Sequence, residues 1–211
     1  IEVDNPVKLA ILGVLRVILP DESATLIKIQ VAFLGLIDFE KGMLSFDASL
    51  FDSKVLTFGL EGDMALRLSW GEKKDFVLSV GGFHPSFTPP TYLGIGSMKR
   101  LTLKILSGNP RLTLSTYFAV TTNTVQFGAG IDFYFGVAGF KIVGEFGFDV
   151  LFQFSPFRFI ADARARLAVK AGSATLFSIS LTFTLEGPTP WRAKGTAKFK
   201  VLFFTVKAKF D

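Results

Sequence analysis

The stretch "FKIVGEFGFDVLFQF", Phe140 to Phe154, decides the fold class. Its even positions are Phe140, Ile142, Gly144, Phe146, Phe148, Val150, Phe152 and Phe154. Its odd positions are Lys141, Val143, Glu145, Gly147, Asp149, Leu151 and Gln153. One side is almost wholly apolar and the other mostly wet. That period of two belongs to a strand with one covered face, because an amphipathic helix would repeat every 3.6 residues.

The same alternation continues outward. In "FRFIADARARLAVK", Phe157, Phe159, Ala161, Ala163, Ala165, Leu167 and Val169 oppose Arg158, Asp162, Arg164, Arg166 and Lys170. In "LFSISLTFTLE", Phe177, Ile179, Leu181, Phe183 and Leu185 oppose Ser178, Ser180, Thr182, Thr184 and Glu186. Strands are predicted near 8–19, 25–39, 43–51, 55–70, 75–81, 101–106, 111–121, 125–135 and 140–154, with four more starting near 157, 174, 191 and 203. Short turn signals such as "EKG", "FDSK", "GEKKD", "SGNP", "TTNT" and "AGS" separate them and suit hairpins. The expectation is an all-β fold. It is a long antiparallel meander of about 13 strands, curled into a barrel, half-barrel or flattened sandwich with a Phe-rich interior. Residues 1–211 are expected to form one domain, broken by a non-strand crossover at about 82–100.

Composition sharpens this. The 211 residues include 25 Phe against 3 Tyr, with 49% hydrophobic and 19% charged side chains. Phe brings apolar area with no polar handle, so the chain needs a large dry surface. There is no Cys, which excludes disulfides, thiolate catalysis and Cys-ligated metal. The net charge of +5 is spread out, which argues against a nucleic-acid partner. No uncharged apolar run is long enough for a membrane-spanning helix. Neither an initiator Met nor a signal pattern opens the chain, which suggests a trimmed or mature piece of a longer protein and leaves the compartment open.

An apolar sheet face must be covered. The candidates are a packed core, a groove for acyl chains, or the lipid around a transmembrane barrel, so membrane association stays open. The expected apolar lining is Phe127, Phe133, Phe146, Phe148, Phe152, Phe159, Phe177 and Phe183. The partners expected are a lipid or other apolar ligand and further modules of the same protein. No cofactor is expected.

Candidate chemistry is sparse. His84, the sole histidine, sits in "GGFHPSFTPP" (81–90). No nucleophile motif flanks it, so it is expected to bond the loop backbone, and no catalytic residue is assigned. Phe83 and Phe87 are expected to pin this loop to the apolar face, so that Phe83, His84 and Phe87 form a lid. No calcium-loop or phosphate-loop spacing occurs, and no metal site is assigned. Glu145 and Asp149 are expected to meet Lys or Arg across strands as solvated pairs. The chain is read as non-enzymatic: either a module sheltering an apolar ligand or a structural domain for protein contacts.

The segments "LGLIDFEKGMLSFDASLFDSKV", "TNTVQFGAGIDFY", "DVLFQFSPFRFIAD" and "TLEGPTPWRAKGTAKFKVLFFTVKAKFD", with the loop just quoted, resemble a bacterial family of long β-rich proteins of unknown function. The resemblance covers about residues 25–211. It implies that the chain is one module of a longer protein, and it implies no activity or site residue.

Overall fold

The computed structural model describes residues 8–211. Thirteen strands form one antiparallel sheet. They are β1 (Lys8–Leu19), β2 (Ile27–Asp38), β3 (Met43–Val55), β4 (Phe58–Ser69), β5 (Asp75–Val80), β6 (Leu101–Ser107) and β7 (Arg111–Thr121). The rest are β8 (Thr124–Val137), β9 (Phe140–Gln153), β10 (Arg158–Ala171), β11 (Ala174–Gly187), β12 (Arg192–Val201) and β13 (Phe204–Phe210). Apart from β5 and β6, neighbours in sequence are neighbours in space, as short hairpins require. No pairing joins β1 to β13, so the described sheet has two free edges.

One expected reversal is not a turn. "FDSK" (51–54) stays inside β3, where the register against β4 shifts between Leu50 and Ser53. The shift is a bulge, with Asp52 at φ 42°. The Ser53 hydroxyl accepts from Gln30 N at 2.8 Å and donates to Gln30 O at 3.1 Å, re-satisfying β2 backbone left unpaired there. The reversal itself comes later, at Leu56–Thr57.

β5 and β6 share one lane of the sheet. β4 pairs β5 through Met64–Ser69 and β6 through Gly59–Glu61. β7 does the same on the other side, with β6 up to Thr116 and β5 from Phe118. Between them the chain leaves the sheet at Gly81 and returns at Leu101, holding one short 3-10 turn, Thr91–Leu93. Gly81 has φ +74°, and a Cβ there would lie 2.5 Å from Thr116 O. The neck is tied by Gly81 N donating to Asp63 O at 2.8 Å and Lys99 N donating to the Asp63 carboxylate at 2.7 Å.

The core is where this excursion lies on the sheet. Leu93 and His84 of the loop are both 1% exposed. Beneath them are Ala65 and Arg67 of β4, Val77 and Ser79 of β5, and Tyr117 and Ala119 of β7. Gln126 of β8, Asp149 and Leu151 of β9 and Ile160 of β10 are buried on the same face. The registers put these residues on the face that carries the charged side chains. The buried face is therefore the polar one.

Gly81→Ala is expected to lower stability by about 3 kcal/mol, combining a left-handed backbone with a backbone clash. Gly94→Ala, at φ +58° with nothing within 4 Å, should cost only about 1 kcal/mol. Urea titrations followed by far-UV circular dichroism read both. Equal losses would show that the neck tolerates a side chain.

Candidate functional site

The eight phenylalanines of the expected lining share one face. The registers align Phe127 with Val150, Phe133 with Gly144, and Phe148 with Ala163 and, beyond it, Phe183. They also align Phe146 with Ala165, Phe152 with Phe159, and Val169 with Phe177. The rings touch along the sheet. Centroids are 6.4 Å apart for Phe127 and Phe152 and 4.9 Å for Phe152 and Phe159. Phe159 reaches Trp191 at 6.1 Å, and Phe177 reaches Phe199 at 5.5 Å.

These rings line an open face instead of an interior. Phe146 is 51% exposed and Phe127 36%; Phe133, Phe148, Phe152, Phe159, Phe177 and Phe183 are half-buried. No second layer of the described chain lies over them. The expectation of an enclosed Phe-rich interior fails because the one segment free to act as a cover lies on the opposite face. Phe118, Ile131, Leu167, Ile179, Leu181 and Phe199 extend the same face and are equally open. Strand parity alone would have found them.

From β7 to β13 the registers put no charged side chain on this face. Its one hydroxyl, Thr116 Oγ1, already donates to Gly128 O at 2.8 Å. The surface is chemically uniform. It can take apolar matter and offers nothing to orient a reacting group.

The loop with Phe83, His84 and Phe87 covers the polar face. Phe83 and Phe87 pack on each other at 5.4 Å and do not pin the loop to the phenylalanine face. His84 N donates to Gln126 Oε1 at 2.9 Å, and His84 Nδ1 accepts from Ser86 N at 3.1 Å. Accepting at Nδ1 leaves the proton on Nε2. That atom is buried without a hydrogen-bond partner, 3.6 Å from Asp162 Oδ2. Burial pushes the imidazole below its ordinary value, against the pull of Asp149 and Asp162. Among the described residues no nucleophile is hydrogen-bonded to its ring.

Next to His84 is a knot of charge around the buried Asp149. Arg164 bridges Asp149 at 2.6 Å and Glu145 at 3.1 Å. Asp149 is only 4% exposed, so its pair is not the solvated one expected from sequence, whereas the Glu145–Arg164 pair, with side chains 39% and 46% exposed, is. The Arg100 guanidinium lies 3.7 Å over the Tyr117 ring and donates to Gly81 O and Phe83 O. Burial, then the charge of Asp149, raises the Tyr117 phenol far above its usual value. The hydroxyl is near enough to feel that charge yet not aligned to bond it. On β4, Arg67 is 3% exposed and donates to Leu93 O at 2.8 Å while pairing Asp47 at 2.9 Å. Each arginine ties loop or strand to strand. A cavity of about 50 Å³ beside Arg100, Tyr117, Asp149 and Arg164 has room for one or two waters. Among the described residues no three His, Cys, Asp or Glu side chains converge as metal ligands.

His84 sets a pH dependence. Its folded-state pKa lies below that of the unfolded chain, near 6.5. Stability is therefore full above about pH 6.5 and is lost as pH falls toward the folded value, because the unfolded state takes up the proton first. Urea midpoints should drop between about pH 7.5 and 5.5 in the native protein. In His84→Gln that slope should flatten; an unchanged slope would place the titration elsewhere.

No curated protein and no solved structure matches the chain. Residues 1–211 match DUF6603, a family of unknown function, and the chain belongs to that family.

Proposed function

We propose that the chain is a non-enzymatic β-module that shelters lipid acyl chains against its open phenylalanine face. The observation that carries this reading is the uniformity of that face from β7 to β13, with no charge and one hydroxyl that is already bonded. Protein interfaces carry about one hydrogen bond per 100–200 Å², and this face has almost none to offer. Acyl chains make no such demand. Covering a half-exposed Phe contributes on the order of 1 kcal/mol, so a row of them retains a lipid through area alone.

A structural role has one observation of its own. β1 exposes Leu9, Ile11, Leu12, Val14, Leu15 and Val17, which alternate across both of its faces. A strand apolar on both sides is one meant to be covered on both sides, which suits contact with a further module.

Organic extraction of the purified protein followed by mass spectrometry should yield co-purified lipid. Phe146→Asp and Phe148→Asp should lower lipid recovery several-fold while the circular dichroism spectrum stays that of a sheet, since both side chains stand on an open face. Lipid-free native protein that also ignores a fluorescent fatty acid would refute the sheltering role.

A further inference from the structure

Alternate strands reverse direction, so the hairpin tips fall at two ends of the sheet. One end holds the reversals at 20–26, 56–57, 108–110, 138–139, 172–173 and 202–203; the first two bring Asp21, Glu22 and Asp52 to its β1–β4 half, and the other four form its β6–β13 half. In the β6–β13 half of this end, residues 106–113, 134–143, 168–178 and 198–207 contain no Asp or Glu. They carry Arg111, Lys141, Lys170, Lys198, Lys200 and Lys207. None of the six has an acidic partner among the described residues. The β1–β4 half of this end mixes signs, with Arg16 paired to Glu22 and Lys28 to Asp52, and so does the opposite end, with Asp38, Glu40, Glu72 and Glu186 among Lys41 and Arg158.

The cations also stand where a sheet disfavours them. Lys141 lies directly across from Lys170, and Lys198 directly across from Lys207. Like charges in direct cross-strand register are destabilising. Something anionic from outside would offset that cost.

Two of the tips between these lysines, around Ala138–Gly139 and Leu202–Phe203, are apolar. Phe203 is 96% exposed, Phe204 81%, Val137 57%, Phe140 52% and Leu202 51%. Ala138 at φ 46° and Leu202 at φ 49° occupy the left-handed region, where two-residue turns normally place Asn or Gly. The turn geometry calls for small polar residues, and the chain puts apolar ones into solvent instead. Apolar tips beside unpaired lysines match the two layers of a bilayer surface, acyl boundary and phosphate plane.

We propose that this end of the sheet docks on anionic lipid bilayers. Leu202, Phe203, Phe204, Val137 and Phe140 enter the acyl boundary, and Lys141, Lys170, Lys198 and Lys207 meet headgroup phosphates. The surface goes beyond acyl-chain shelter on the phenylalanine face and stands without it, because its lysines lie on the opposite face and its most exposed tip, Leu202–Phe203, lies outside the strands.

Flotation with vesicles tests it. The chain should partition onto phosphatidylcholine mixed with phosphatidylserine and not onto phosphatidylcholine alone, and binding should weaken as salt shortens the screening length. Each lysine neutralised should lower partitioning about fivefold. Lys141→Gln with Lys170→Gln should therefore lower it about 25-fold, and these variants relieve a like-charge pair, so they should fold at least as well. Phe203→Ser, at a fully solvated tip, should also reduce binding without loss of structure. Three results would each overturn the proposal: equal binding to both vesicle types, indifference to the lysine substitutions, or complete release by inorganic phosphate, which would mark a free-phosphate site. Binding to soluble polyglutamate with no vesicle partition would assign the rim to an acidic protein and overturn it as well. Phe146→Asp separates the two readings. It should lose extracted lipid and keep vesicle binding, whereas K141Q/K170Q should do the reverse.

Discussion

The structure depends on one electrostatic constraint: charges taken out of water must be paired. The loop from Gly81 to Arg100 covers the centre of the polar face, so Arg67 and Asp149 are buried, Arg100 is half-buried, and each needs a partner. Asp149 has Arg164 at 2.6 Å, Arg67 has Asp47 and the Leu93 carbonyl, and Arg100 has two loop carbonyls and the Tyr117 ring. Removing any one partner leaves a buried charge alone, which costs far more than the pair itself contributes. This mutual requirement ties the loop to the strands beneath it, alongside the packing of Leu93, Val77 and Ala119.

That arrangement inverts the usual relation between burial and polarity. Alternation divides the strands into an apolar and a charged face, and the default inference buries the apolar one. Within this chain the charged face has the cover and the phenylalanines have none. The inversion is physically tolerable only if the apolar face is covered by matter outside the described chain. Its lack of hydrogen-bonding groups restricts what that matter can be.

The strands and the division of their faces were legible because both rest on local period. Phe146 and Asp149 each sit on the side that parity assigns. The destination of the loop was not legible. "GGFHPSFTPP" announces a break through its glycines and prolines, but Phe83 and Phe87 suggested an apolar landing. The deciding contacts, Arg67 to Leu93 and His84 to Gln126, join residues 26 and 42 positions apart, beyond any local pattern. "FDSK" misled for a related reason. Turn-forming residues also build bulges, and only the Ser53 bonds to a neighbouring strand tell the two apart.

The shared lane of β5 and β6 bears on register. Alternation guards a sheet against slips of one residue, which would exchange its faces, but not against slips of two. Long strands studded with Phe at every second position look nearly the same after such a shift. The excursion at Gly81 breaks that translational symmetry. Its anchors reach Arg67 on β4, Tyr117 on β7, Gln126 on β8 and Asp162 on β10, and each fits at one position only. The loop acts as a key in a keyway, locking four strands whose own sequences would let them slide.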